Sequence, residues 1–530
     1  MRSHPCLLLG PFLLAALAPC SSAQCELAKL TAGDAQHGAF LGSSVALSGS
    51  TALVGAINDD EAGFSAGAAY VFERQGSLWS QSAVLTAGNA AAGDHFGNAV
   101  AISGDTAVVG AVDQGDRGAA YVFIRQGSGW VQTQTLRPLA GAGRFGASVA
   151  VSGDAILVGA PDSALAAGPF SGAAFVFERT GRAWVLTAVL TAGDGQVNDL
   201  LGESVALSGN TAVVGAEYRS DPLLYGGAAY VFEKQASGWA ESAVLTPSDA
   251  QELQRFGNAV AASGGRVLVG AARDSEAAFR AGAAYVFTRQ GSSWIQTAKL
   301  IASDAAEFDE LGTAVALSGK TAALGTLRNP EVTLNAGSAY VFALQRGSWV
   351  ELARLVSSDL DPFDRFGHSV AVSRGTVLLG AEGDDDGGSS AGAAYVFAAA
   401  PAGCSLSADV AELSLAAGGS QTLALDGGGA GAGRAYLVLG TASGLYPGTA
   451  AGGVLVPLEM DAYFGLTLAG TAGSAGFSGV LDPSGKATAQ LALPAGSSPA
   501  LVGTRLHHAF VLYEPALDFA SNAVLLELVP

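Results

Sequence analysis

The residues best placed to do chemistry lie in one short run, Glu382-Gly383-Asp384-Asp385-Asp386-Gly387. Carboxylates at alternate positions followed by glycine are the spacing with which a tight loop surrounds a hard cation. Such an ion needs several oxygens, and the glycine allows the bend. The run marks Glu382, Asp384 and Asp386 as candidate calcium ligands. Its twelfth position is Ala393, so a closing bidentate acid is missing. Asn58-Asp59-Asp60-Glu61 offers a sparser set, with Asp59 and Asp60 as candidates. The alternative for both runs is a solvated acidic loop.

Other chemistry is thin. His507-His508 suggests a metal pair, but adjacent residues of a strand point to opposite faces. His37, His95 and His368 stand in loop-like segments. No nucleophile elbow, zinc motif or phosphate loop is present, so no catalytic residue is named. A pair of carboxylates for glycoside chemistry stays open, because acidic runs recur along the chain. With 46 acidic against 26 basic residues the net charge is −20, which repels phosphates and excludes nucleic acid as a partner.

The elements that must position these groups come from a repeat. A Gly-Ala-Ala-Tyr-Val-Phe string recurs at Gly67–Phe72, Gly118–Phe123, Gly172–Phe177, Gly227–Phe232, Gly282–Phe287, Gly337–Phe342 and Gly392–Phe397, with Phe175 and Ser338 as variants. Phe-Gly or Leu-Gly precedes it, at Gly42, Gly97, Gly146, Gly202, Gly257, Gly312 and Gly367, with intervals of 55, 49, 56, 55, 55 and 55. Gly-Ala lies between, at Gly55, Gly110, Gly159, Gly215, Gly270 and Gly380, with Gly325-Thr326 as the variant. All six tryptophans stand seven residues past the final Phe of a string. Each unit holds four short runs rich in Val, Leu, Tyr and Phe, bounded by Gly, Ser or Asp. Those are strand signals. Four strands per unit and seven units predict an all-β, seven-bladed β-propeller over residues 24–404.

These repeats resemble the FG-GAP repeat of integrin α-subunit head domains and of many secreted bacterial proteins. The run Gly146-Ala147-Ser148-Val149-Ala150-Val151-Ser152-Gly153, followed by Val158-Gly159-Ala160-Pro161, carries the likeness. The resemblance implies adhesion or ligand binding by the propeller. It also implies a calcium loop between the Phe-Gly and Gly-Ala segments. Here that interval is a tight turn, as at Ser318-Gly319-Lys320, so the family's usual calcium place is not inherited.

The two ends are informative. Residues 1–23 read as a secretory signal, with Arg2, an apolar stretch Leu7–Ala18 and the small residues Ser21-Ser22-Ala23. That stretch is too short to span a bilayer, and no transmembrane segment is expected after it. The seventh unit lacks its fourth strand, while Glu26-Leu27-Ala28-Lys29-Leu30 matches Gln296-Thr297-Ala298-Lys299-Leu300. The N-terminal segment is therefore expected to complete blade seven. Cys25 and Cys404 then flank the break, which predicts a disulfide between them in an exported protein.

After Cys404 the period stops, and seven strand-like runs in residues 405–530 predict a small β-sandwich. Within the propeller, the first-to-second and third-to-fourth connections share one face and are short. The other face carries longer, acid-rich loops and is the expected binding face. The leading expectation is a secreted or cell-surface adhesion scaffold for an extracellular protein or glycan, assisted by calcium. The alternatives are an extracellular carbohydrate-active enzyme and a structural envelope component.

Overall fold

A computed structural model describes residues 26–399, apart from 77, 166, 329–334, 358 and 360, together with strand segments between 404 and 529. The leader at 1–23 and Cys25 lie outside the described residues. So does the side chain of Cys404, and with it the expected disulfide.

Seven antiparallel four-stranded sheets follow one another along the chain. Blade one is typical: Leu41–Ser48, Thr51–Ala56, Ala68–Gln75 and Leu78–Leu85. Its second strand is buried at every position, and the first five residues of its third are buried too. Its outer strand alternates partial burial with exposure. This gradient explains why the middle strands are uniformly apolar: both their faces meet a neighbouring blade. Among the described residues, seven apolar clusters fill the seven spaces between blades.

The paired glycine landmarks are the contact between blades. A Cβ added to Gly55 would stand 2.1 Å from the carbonyl oxygen of Gly97, and one on Gly380 would stand 2.0 Å from that of Gly42. The Gly-Ala glycine of each blade thus lies under the Phe-Gly glycine of the next. Gly42 also holds φ 91°, which side chains disfavour. Neither glycine tolerates a side chain, so the motif recurs wherever two blades meet.

Blade seven consists of Ser369–Ser373, Thr376–Ala381, Ala393–Ala398 and the N-terminal strand Glu26–Leu30. The closing strand copies its counterparts in detail. In blades one to six the outer strand skips one residue opposite the Val-Phe step, as at Val71/Phe72. Glu26 and Ala28 pair with Phe397 and Val396, so Leu27 is skipped at the same place. Leu30 is 2% exposed in the cluster shared by blades seven and one. Burying a leucine side chain contributes about 1.5–3 kcal/mol, which helps to hold this short strand.

Beyond the propeller, one sheet runs Cys404–Ala408, Gly419–Gly427, Lys486–Leu493 and Ser474–Ala475. A second centres on Ala435–Thr441 and Arg505–Tyr513, with Val524–Val529 beside the latter. A third, two-stranded sheet pairs Thr449–Ala451 with Val454–Val456. How their faces pack lies outside the described residues. His507 and His508 pair with Leu525 and Val524 on adjacent rungs of the second sheet.

Candidate functional site

The long loops gather on one face of the ring. The loop after each second strand pairs through its backbone with the loop leading into the next blade, as in Phe308 N to Phe279 O at 2.9 Å and Leu253 N to Leu224 O at 2.7 Å. Their main-chain groups are thereby used, and the face presents side chains.

Most acids of this face have structural work. Asp94, Asp199, Asp309 and Asp364 are buried and accept a hydrogen bond from the backbone N–H three residues before them, bracing the interblade turn. Others accept from the buried tyrosine of the repeat string. Tyr70 donates to Asp59, Tyr230 to Asp194 and Tyr340 to Asp304, each at 2.7 Å. Blade three has Phe175 in place of tyrosine, and the position of Asp59 is there Ser163. Blade three therefore has no buried tyrosine hydroxyl that needs an acceptor.

Blades five and seven add a lysine. Lys29 Nζ lies 2.7 Å from Asp359, 2.8 Å from Asp384 and 2.7 Å from Asp386. Lys299 Nζ lies 2.6 Å from Asp249, 2.9 Å from Asp274 and 2.5 Å from Glu276. The lysines stand opposite Tyr395 and Tyr285 on the outer strands. Burial opposes the charge of Lys299, but its three carboxylates outweigh burial and push its pKa up to about 12. The same balance raises Lys29. Burial alone would raise Asp359, yet hydrogen bonds from Lys29 and Tyr395 hold its carboxyl below the usual range. In blades four and six the cation is Arg219 on Asp194 at 2.7 Å and Arg354 on Asp304 at 2.8 Å.

One position separates the two lysine clusters. In blade five the buried Gln254 donates to Asp274 at 2.6 Å and to Tyr285 at 2.8 Å. In blade seven that position is Asp364, 3% exposed. Burial, together with the charges of Asp384, Asp361 and Asp359, pushes Asp364 up to about 7, against a backbone hydrogen bond that lowers it. A protonated Asp364 has one O–H to donate, where Gln254 has an amide.

The expected calcium ligands are only partly brought together. Asp384 and Asp386 converge with Asp359, their nearest oxygens within 4.8 Å of one another, but around the ammonium of Lys29. Glu382 points elsewhere, to Arg365 at 2.8 Å and His368 at 3.5 Å. The chain's own ammonium fills the cation's place in blade seven, so this set does not fit calcium. In blade one, Asp59 holds Tyr70, while Asp60 accepts from Ser65 N at 2.5 Å and braces its loop. There the position of Lys29 is taken by Val84, opposite Tyr70.

Asp359 and Lys29 are the residues that motif reading missed. Their signal was the register: Asp34, Asp194, Asp249, Asp304 and Asp359 each stand four residues past the last leucine of an outer strand. Lys29 and Lys299 stand one residue before it.

Among solved structures, Chaetomium thermophilum Sqt1 shares 15% identity over 68% of this chain and 83% of that one, with a TM-score of 0.42. A putative 6-phosphogluconolactonase from Bacteroides uniformis shares 13% over 63% and 89%, with a TM-score of 0.44. No curated protein matches the sequence. The FG-GAP repeat matches at residues 25–72, 79–123, 130–177, 184–232, 239–287, 294–342 and 349–397. Every match starts at an outer strand and ends with the third strand of the next blade, so seven units close the ring without remainder, and the chain belongs to the FG-GAP repeat family.

Proposed function

We propose that the protein is a non-catalytic binding scaffold that engages an extracellular protein or glycan through its long-loop face. The observation that carries this reading is the apolar tips of those loops. Phe64, Phe279 and Phe363 are each more than half exposed, and Phe170, Leu224 and Leu253 are nearly so. Large apolar side chains held in water at one face mark an interaction surface. On the opposite face, Leu78 beside the third-to-fourth turn of blade one is exposed as well, but the long-loop face carries the greater number. Secretion or display at a cell surface, with a role in adhesion, fits the leader-like residues 1–23.

The paired-carboxylate enzyme is the weaker reading, because the acids of this face are largely committed to tyrosine hydroxyls, turn N–H groups and lysines. A glycan array run beside a hydrolysis assay tests both: binding without turnover is expected, and turnover abolished by a single Asp→Asn change would replace this reading with the enzyme.

Blade one is the place for calcium assistance. Asp34, Asp59 and Glu61 there occupy the positions that surround lysine in blades five and seven, and Val84 brings no charge. A rise in melting temperature with calcium that Asp59→Asn removes is the expected outcome. A rise unchanged in that variant, or no rise at all, would exclude the site.

A further inference from the structure

We infer that three arginines on the long-loop face between blades four and six, Arg255, Arg273 and Arg280, form a binding site for the carboxylate of a uronic-acid-bearing saccharide. This rests on the reading of that face as the binding face and names the ligand class it takes.

Most other cations of the loop face are neutralised. Lys29, Arg144, Arg219, Lys299, Arg354 and Arg365 each have a carboxylate within ion-pair distance. Among the described residues, Arg255, Arg273 and Arg280 have none within 4.0 Å. Their backbones lie in adjoining loops: Arg273 N donates to the carbonyl oxygen of Gln254, the residue before Arg255, at 3.3 Å, and Arg280 lies in the same loop as Arg273. Burial, then the charges of Arg255 and Arg280, pull Arg273 down, with Glu310 and Glu217 opposing from beyond pairing distance. Glu217 is itself a poor counter-ion, since burial pushes its carboxyl up against the pull of Arg255. Like charges gathered without partners are unfavourable alone, and an incoming anion relieves them.

The neighbouring rings give the site its shape. The guanidinium of Arg255 lies 4.9 Å from the ring centre of Tyr218, which meets Tyr225 edge-on at 5.6 Å. The guanidinium of Arg280 lies 5.3 Å from the ring centre of Phe279, which meets Phe308 edge-on at 5.3 Å. A cation–π contact holds a guanidinium against a ring without using its N–H groups, which remain the donors for the bidentate contact that matches a carboxylate. Tyr225 is 39% exposed, Phe279 53% and Phe308 38%. The site thus combines cations with partly exposed rings on adjoining loops.

That pattern suits a sugar acid, which carries a carboxylate on a rigid ring with an apolar face. An extended peptide fits less well. It gains affinity from free main-chain edges, and here the two loops already pair with each other through Leu253 N to Leu224 O, Arg255 N to Tyr225 O, Phe308 N to Phe279 O and Glu310 N to Arg280 O.

The test is calorimetric titration of the full chain with a galacturonic acid tetramer, a neutral galactose tetramer and a tetraglutamate peptide. The galacturonate alone is expected to bind. Arg255→Ala with Arg273→Ala should weaken it by about tenfold or more, the loss of charge-assisted contacts. Arg117→Ala, an exposed arginine elsewhere on the same face, should leave binding unchanged. An unchanged melting temperature in the double variant separates this from misfolding. No galacturonate binding, equal binding by the double variant, or tetraglutamate binding in its place overturns the assignment. Binding that ignores the arginines but is lost on changing Phe64 overturns the assignment and leaves the loop-face reading standing. Binding lost only on changing the short turns of the opposite face overturns both.

Discussion

The acids of blade seven and the arginines between blades four and six are both clusters of like charge on one face of one ring. They differ in what surrounds them. Asp359, Asp384 and Asp386 enclose Lys29 within 2.8 Å, and Tyr395 adds hydroxyl contacts to Asp359 and Asp384. Among the described residues, Arg255, Arg273 and Arg280 have no carboxylate within 4.0 Å, and Arg255 and Arg280 lean on aromatic rings. The first cluster is complete within the fold and serves closure, since Lys29 belongs to the N-terminal strand that fills the last blade. The second is incomplete within the fold and is available to a ligand. On this face the dense acidic runs are mostly structural, and the sparse bases are the better guide to binding.

The comparison breaks most directly at Lys29. Lys29→Met leaves three converging carboxylates, one of them buried, without their cation. It should cost about 2–4 kcal/mol of stability, because removing one partner strands charge in a desolvated place. Chemical unfolding would show it, and a loss below about 0.5 kcal/mol would mean that solvent already satisfies the cluster.

Asp364 sharpens the same region through pH. Its folded pKa of about 7 lies above the ordinary carboxylate value, so the folded state holds a proton that the unfolded chain releases. Ionising it costs stability progressively between about pH 4 and pH 7, and the full cost persists above. Asp364→Asn should therefore stabilise the protein by on the order of 2–4 kcal/mol at pH 8 and by little at pH 4. A gain independent of pH would mean that Asp364 is ionised throughout.

Lys299→Met is the milder counterpart. Its strand, Ser293–Leu300, is joined to its neighbour by a hairpin, and Gln254 still donates to Asp274. A loss of about 1–2 kcal/mol is expected, smaller than for Lys29. Equal losses in the two variants would show that closure by a separate strand adds nothing to the cluster's importance. The smallest effect belongs to Arg255→Ala with Arg273→Ala, which should stay within about 0.5 kcal/mol of the parent in thermal or chemical unfolding. A larger loss would place those arginines with the structural charges.

The ring itself was legible because its rules are local and repeated. The paired glycines, the Tyr-Val-Phe string and the match of Lys29 to Lys299 specified seven blades and the strand that closes the last. The candidate site was legible only in part. The Asp384–Asp386 spacing correctly marked a cation's surroundings, yet a motif within one loop cannot reveal that the cation is Lys29, some 355 residues away, or that the third carboxylate is Asp359. Glu382 was misplaced for the same reason: spacing does not report that Arg365 claims it. The arginine cluster left no motif, because its members come from two segments of ordinary composition that pair only in the fold.

Thermal unfolding of two variants, Lys29→Met and Arg255→Ala with Arg273→Ala, each with and without the galacturonate tetramer, tests the central claim most directly. A complete cluster holds the fold, and an incomplete one holds the ligand. The Lys29 variant should melt lower yet keep the ligand-induced rise, and the arginine variant should melt like the parent and lose that rise. If both variants melt lower and both respond to the sugar, the division between structural and binding charge is wrong.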